Sequence, residues 1–191
     1  MQQGDELHYI YYVKKGFVKV YSISDSGDKQ ILLIFGPGDA FPLYRDISAD
    51  GYKIESYYEA MTDIELTRRG RKAFNELLNQ DSEATKLAYD YNTKISADLI
   101  ERLASLESEN AHRKLVHLLP YLIRVCGNET SPRKYELKMK ITHEDIAGML
   151  GLTRETASVH VKKLESLGAV AYNRGNLIID EDRLVKILAL A

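Results

Sequence analysis

The chain has 191 residues, enough for one large or two small domains with real cores, and its 45% hydrophobic and 28% charged content is that of an ordinary globular protein. It holds no apolar run long enough to span a membrane, nothing shaped like a secretory signal, and a single cysteine, Cys126. That count excludes an internal disulfide framework and a four-cysteine metal cluster, and a reducing, cytoplasmic setting fits. The net charge of −2 is unevenly spread, −6 over residues 1–110 and +4 over residues 111–191, so any phosphate-bearing partner is expected at the carboxyl-terminal part.

Residues 8–66 are rich in Tyr, Ile, Val and Phe, with turn signals at Gly16, Asp25-Ser26-Gly27-Asp28 and Gly36-Pro37-Gly38-Asp39. Strands are predicted over Tyr11–Val13, Phe17–Tyr21 and Gln30–Phe35, with a later pair over Tyr52–Ala60 and Ile64–Thr67. Short strands at this spacing suggest an antiparallel barrel or roll. Tyr44, Tyr52, Tyr57 and Tyr58 cluster where a ligand pocket of such a roll would lie; the alternative is ordinary half-buried sheet surface. The basic run Arg68-Arg69-Gly70-Arg71-Lys72 reads as solvated surface or as an anion or partner contact, and a short helix follows at Ala73–Leu78.

From Asp81 to Glu109 the pattern turns helical. Ala88, Tyr91, Ile95, Leu99, Leu103 and Leu106 recur at a mean of 3.6 residues, one apolar stripe on a long helix. Such a helix either packs on its own barrel or, since it outruns a small barrel, pairs with a second copy through Tyr91, Ile95, Leu99, Leu103 and Leu106. The stripe lapses at Ser108-Glu109-Asn110, a candidate hinge. A helix over Ala111–Val125 and a loop from Gly127 to Arg133 come next. The expected fold class is α+β: an amino-terminal antiparallel β-roll (1–80), a long dimerisation helix with its hinge (81–109) and a carboxyl-terminal winged helix-turn-helix (110–191).

The helix-turn-helix carries the most information. Thr142 is a good amino-terminal cap with Asp145 three residues on, and Ile146, Ala147 and Leu150 form an inner face. Gly151 permits a tight turn, Thr153 caps a second helix, and Ala157, Val161 and Leu164 face inward from it. The opposite face begins with Arg154, Glu155 and Ser158, followed by Lys162. Arg154 suits guanine O6 and N7, and Glu155 suits cytosine N4; each such pair discriminates by about 1–3 kcal/mol. Thr142, His143, Thr153, Lys162 and Lys163 are better placed for phosphates, which set register. Alternatively, Arg154 and Glu155 are a solvated, mutually neutralising helix start. Gly168 then ends the helix, and Ala169–Tyr172 with Leu177–Ile179 form a small hairpin, the wing. With cap, turn, wing and basic charge in agreement, double-stranded DNA is the expected partner. No nucleophile–base pair, metal cluster or phosphate loop points to an enzyme, a metal or a cofactor. The rival of another class is a ligand-binding or interaction protein that uses the winged helix for protein contacts.

Ile141-Thr142 through Arg154-Glu155-Thr156, then Leu164-Glu165-Ser166-Leu167-Gly168 and Leu177-Ile178-Ile179-Asp180, resemble without a gap the DNA-binding domain of the Crp/Fnr family of bacterial transcription regulators. Tyr12–Tyr21 and Phe35–Phe41 resemble that family's cyclic-nucleotide-binding-type β-roll. The resemblance implies a homodimer joined by the long helix, two recognition helices one DNA turn apart and a palindromic operator, with RNA polymerase as a further candidate partner. It carries base reading onto Arg154 and Glu155, and onto Ser158 from the Fnr-like branch. Val159 stands where an arginine is common, and an apolar side chain there suits a thymine methyl. His160 replaces a usual aliphatic or small residue and reads as a partly buried helix-packing histidine, the alternative being a phosphate contact or a pH sensor.

The sensor half departs from the resemblance. Nucleotide-binding members have Gly-Glu-Leu after the position of Phe41, and later Arg-Ser or Arg-Thr followed by Ala; here Pro42-Leu43-Tyr44 and Tyr52-Lys53-Ile54-Glu55-Ser56 stand instead. Neither the ribose-binding glutamate nor the phosphate-binding arginine is in place, which argues against cyclic AMP and leaves the effector unknown. One cysteine rules out an iron–sulfur sensor of the Fnr kind, and the isolated His8, His112 and His117 argue against haem. Gln2-Gln3-Gly4-Asp5 resembles the family's first turn motif, normally preceded by a further strand. The expectation is a trimmed or naturally short member whose roll has an open edge.

Overall fold

The computed structural model describes residues 1–42 and 53–190, and the chain divides into two compact units, Met1–Ser22 with Leu32–Leu99 and Ile23–Ile31 with Ile100–Ala191. The expected tyrosines Tyr44 and Tyr52 lie outside the described residues.

The first unit is a roll of two three-stranded antiparallel sheets. One has the order β4-β1-β6, from β1 (Tyr9–Lys15), β4 (Ala40–Phe41) and β6 (Glu65–Gly70); the other has the order β3-β2-β5, from β2 (Val18–Ile23), β3 (Lys29–Phe35) and β5 (Tyr57–Ala60). Alternation places Val13, Val20, Leu33 and Phe35 inside, each at most 2% exposed. Phe41 is the hub of an aromatic cluster, with ring centroids 5.4 Å from Tyr11, 5.9 Å from Phe35 and 5.5 Å from Tyr58. Gly16 turns the chain from β1 to β2 at φ 85°, where a Cβ would stand 2.2 Å from the Asp63 carbonyl oxygen, so only glycine fits. The predicted strand over Tyr52–Ala60 is shorter among the described residues, starting at Tyr57, and the last strand runs further, to Gly70.

Two helices close this unit, α1 (Arg71–Gln80) and the first five turns of α2 (Ser82–Glu107). Within the basic run the Arg68 guanidinium stacks over the Tyr9 ring at 4.3 Å and Arg71 is buried at the start of α1, whereas Arg69 and Lys72 are exposed. Asp39 is 7% exposed and accepts from the Gly36 N–H at 2.8 Å and from Lys94 Nζ at 2.5 Å, which pins α2 to the turn before β4.

The second unit is helical with a four-stranded sheet of order β7-β8-β10-β9. After α2 comes α3 (Ala111–Cys126), capped by Asn110, whose side chain accepts from the His112 N–H at 2.8 Å. Ser108–Asn110 separates α2 from α3 within this unit. Gly127–Arg133, expected as a loop, instead supplies strand β7 (Gly127–Ser131), which pairs with β8 (Lys134–Leu137). Its residues are polar and mostly exposed, so no apolar alternation announced it; pairing with β8 makes it a strand. Helices α4 (His143–Leu150) and α5 (Arg154–Ser166) follow, then β9 (Val170–Asn173), β10 (Asn176–Asp180) and α6 (Glu181–Leu190). Leu118, Leu122, Ile146, Leu150 and Leu164 are wholly buried and form the core of this unit.

Candidate nucleic-acid interface

Thr142 closes a full capping box on α4: its Oγ1 accepts from the Asp145 N–H at 3.0 Å, while Asp145 Oδ2 accepts from the Thr142 N–H at 3.1 Å. Gly151 ends α4 in the left-handed region at φ 61°. Thr153 then caps α5, accepting from the Thr156 N–H at 3.2 Å. The second helix therefore starts from a turn whose backbone donors are satisfied by residues next to them in the chain. Ala157, Val161 and Leu164 are buried beneath it, at most 2% exposed.

On the other side, Glu155, Ser158, Val159 and Lys162 follow an i, i+3, i+4, i+7 row, and Arg154 opens the helix one residue earlier. Arg154, Glu155, Val159 and Lys162 are exposed and Ser158 is half-buried. Val159 is 63% exposed, a branched apolar side chain with no packing role in its own unit. Among the expected phosphate contacts, Lys162 and Lys163 are exposed, whereas the hydroxyls of Thr142 and Thr153 are engaged in the caps. His143 bridges to the wing, its Nε2 lying 3.2 Å from the Tyr172 hydroxyl. The wing is the expected hairpin, with Arg174 and Gly175 both at positive φ in a two-residue turn.

Between α3 and α5, His112 and His160 face each other with ring centroids 5.9 Å apart, and the Nδ1 atoms of both are buried without a partner. The expected packing role of His160 thus comes with a second histidine that sequence spacing could not pair. Burial, then Lys163, then His160 hold the His112 imidazole below its usual range. The folded state favours neutral His112, so its contribution is complete above the unfolded value of about 6.5 and is lost as pH falls through that value. The melting midpoint is expected to drop on acidification from about pH 8 to about pH 5.5, a span that brackets the histidine range, and to drop less in His112→Gln. Equal drops in both proteins would remove His112 from the acid response.

Cys126 is buried, donates to the Leu122 carbonyl and has its thiol pushed up to about 12 by burial, so it is an unreactive core residue. Among the described residues no group of three His, Cys, Asp or Glu is placed to hold a metal ion. No helix among them is long and apolar enough to cross a membrane.

The expected dimer stripe divides between two faces of α2. The Tyr91 hydroxyl donates to the Ala40 carbonyl at 2.7 Å and accepts from the Ala40 N–H at 3.0 Å, and Ile95 is buried, so these two serve their own protomer. Leu99 and Leu106 are half-buried, and Leu103 is 65% exposed. A period of 3.6 finds the stripe, but it merges the side that faces the roll with the side next to it. Of the expected pocket tyrosines, Tyr58 is buried in the aromatic cluster and lines a pocket of the first unit. Tyr57 points to the other face of β5 and stacks on Tyr21 at 5.3 Å.

Sequence comparison finds two domain families, a cyclic nucleotide-binding domain over residues 1–81 and a Crp-like helix-turn-helix domain over residues 113–187. The chain is 26% identical over 191 residues to electron transport regulator A of Shewanella oneidensis, covering 98% of this chain and 74% of that protein. It is 23% identical to the cAMP-activated global transcriptional regulator CRP of Haemophilus influenzae, covering 92% of this chain and 77% of that one. Among solved structures it resembles FixK2 from Bradyrhizobium japonicum with a TM-score of 0.80 at 21% identity, over 97% of this chain and 89% of that chain. It also resembles a CRP-family transcriptional regulator from Thermus thermophilus, with a TM-score of 0.77 at 20% identity, over 97% and 90% of the two chains.

Proposed function

This chain belongs to the Crp/Fnr family of transcription regulators, and on that premise we propose that it acts as a homodimer on a palindromic operator. It is a DNA-binding regulator and not an enzyme. The observation that carries the finer reading is the exposed row on α5, where Glu155, Ser158, Val159 and Lys162 stand on one face of a helix capped by Thr153. In this reading Arg154, Glu155, Ser158 and Val159 face base edges, with Val159 against a thymine methyl. Lys162 and Lys163 take phosphates, joined by His143 and the two cap threonines. Residues 110–191 form the DNA-binding domain and residues 1–80 the sensor.

The second copy packs on the side of α2 that the protomer leaves open. Tyr89, Asn92, Ser96, Leu99, Leu103 and Leu106 alternate at spacings of three and four residues, the seam of a two-helix coil. Tyr89 is 71% and Leu103 65% exposed, and Ile100, 68% exposed, flanks them. This seam keeps Leu99, Leu103 and Leu106 from the sequence reading and replaces Tyr91 and Ile95. The sensor lacks the residues that would anchor cyclic AMP, since Pro42-Leu43 occupies the glycine–glutamate position.

Selection from a palindrome library at stated salt tests this reading. Glu155→Ala is expected to relax preference at one base pair of each half-site by about 1–3 kcal/mol. Lys163→Ala is expected to weaken all sequences alike and to flatten the salt slope by about one unit. Equal losses on selected and random DNA for Glu155→Ala would remove its base-reading role.

A further inference from the structure

His112 and His160 meet where α3 packs against α5, the helix that carries the exposed row. Each keeps its Nδ1 atom buried and without a partner among the described residues. Buried polar atoms are nearly always hydrogen-bonded, so two unmet nitrogens on neighbouring rings call for an account. On α5, His160 follows Val159 of the exposed row and stands one turn before Lys163, so His160 and Lys163 share a flank of the helix.

Two imidazoles with ring centroids 5.9 Å apart repel each other when both are charged, so the pair readily takes up one proton rather than two. Helices α4 and α6 also pack on α3, yet the charges that act on His112, among the described residues, are those of Lys163 and His160, both on α5. In its own segment the exposed Glu109 and Arg113 flank it with opposite signs. Burial and these two α5 groups all disfavour the charged form of His112.

Lys163 links the pair to DNA. A phosphate held by Lys163 offsets the ammonium charge that keeps a proton off His112. Operator binding then makes the pair easier to protonate, and linkage is reciprocal, so a proton on the pair makes the phosphate easier to hold. We propose that the His112–His160 pair is a proton-linked element of operator binding, taking up to one proton per protomer as DNA binds, so that affinity rises as pH falls. The proposal rests on the reading of α5 as the recognition helix and names a regulation of that site. Well above the histidine range neither the free nor the bound pair holds the proton, and the gain is absent. It grows as pH falls through the range of the complex and is complete below that of the free protein, at most tenfold per pH unit for each proton taken up. The unbound fold responds the other way, losing stability in acid, because the same proton then has no anion beside it.

The test measures the affinity of the whole chain for a selected palindrome from about pH 8 to about pH 6 at constant salt. Calorimetry in two buffers of different ionisation enthalpy counts the protons. A rise of about threefold or more per protomer is expected, with net proton uptake. His112→Gln and His160→Gln are each expected to remove most of that rise. His143 remains in all of these proteins, so the difference between them belongs to the pair. A cooperative melt at each pH confirms that a variant is folded. Ring-proton NMR on the unaltered chain needs no variant: the His112 titration should move to higher pH when operator is added. An equal rise in a folded variant, net proton release, or an unmoved His112 titration would overturn the proposal. Failure to bind any palindrome at any pH sinks the reading of α5, whereas operator binding with equal pH slopes in all proteins sinks only the proton link.

Discussion

Leu103→Asp is expected to split the dimer and to lower affinity for a palindromic operator by about 10²–10⁴-fold, the usual gain from joining two binding modules. Leu103 is 65% exposed in the protomer, so the substitution disturbs no core; its cost falls on the seam, where two carboxylates would face each other in the centre of the coil. Sedimentation equilibrium should report a monomer with an unchanged melt, and a single half-site should still be bound weakly. Ile95→Asp makes the contrast. Ile95 is 6% exposed inside its own protomer, so that change should lower the melting midpoint before it changes the oligomeric state. A Leu103→Asp protein that remains dimeric with full affinity would show that the second copy sits elsewhere.

Arg102→Met is expected to destabilise the second unit by about 2–5 kcal/mol, read as a shift in the denaturant midpoint. Arg102 is 4% exposed in the last turns of α2. Its guanidinium donates to Ser105 Oγ at 3.0 Å, to the Ile31 carbonyl at 3.3 Å and to the Met149 carbonyl, and it lies 5.5 Å from the centre of the Tyr121 ring. Met149 sits at the carboxyl end of α4, where carbonyls lack intrahelical donors and a positive charge is favoured. Burial pulls the guanidinium below its usual value, while Tyr121 and Glu101 hold it up. Methionine fills much of the volume but withdraws the guanidinium from both carbonyls, at about 1–3 kcal/mol for each donor lost, although the Gln30 amide still reaches the Met149 carbonyl. Lysine should rescue little, because a single ammonium cannot reproduce the planar fork. A midpoint change below about 0.5 kcal/mol would mean that water replaces the guanidinium without loss.

Both outcomes bear on function through one physical point. The first helix of the helix-turn-helix is held from behind by Arg102 and also by Gln30, whose side-chain amide donates to the Met149 carbonyl at 3.3 Å. Gly148 approaches the same segment so closely that a Cβ there would stand 3.0 Å from the Lys29 carbonyl. The hairpin tip Ile23–Ile31 therefore belongs to the unit that carries the helix-turn-helix, although the sequence places it in the roll.

Local chemistry made the helix-turn-helix legible. The threonine caps, Gly151, the buried row Ala157, Val161 and Leu164 and the exposed row beginning at Arg154 are all decided within a few residues of themselves, so spacing and residue type sufficed. The wing was legible for the same reason, through Arg174-Gly175 between two apolar runs. Strand β7 was not, because its polar residues become a strand only by pairing with β8. Of the expected pocket tyrosines Tyr58 does line a pocket, but most of that pocket's lining was not legible. Its walls join β1 and β4 to α1 and α2, and Phe74, Leu77 and Ala84 carry no mark in sequence that distinguishes a pocket wall from a core.

The sequence by itself determined the α+β class, the long helix and the helix-turn-helix with its row opposite the buried face, because each rests on residue types at short, regular spacing. The tertiary structure decided which side of the long helix stays open, since periodicity gives a stripe but cannot say that Tyr91 is spent on Ala40. It likewise decided that Arg102 is a buried fastener and that His112 meets His160, contacts between residues far apart in the chain that no local pattern encodes. Where the chemistry is local the chain can be read directly; where it depends on which surfaces meet, only the packed fold specifies it.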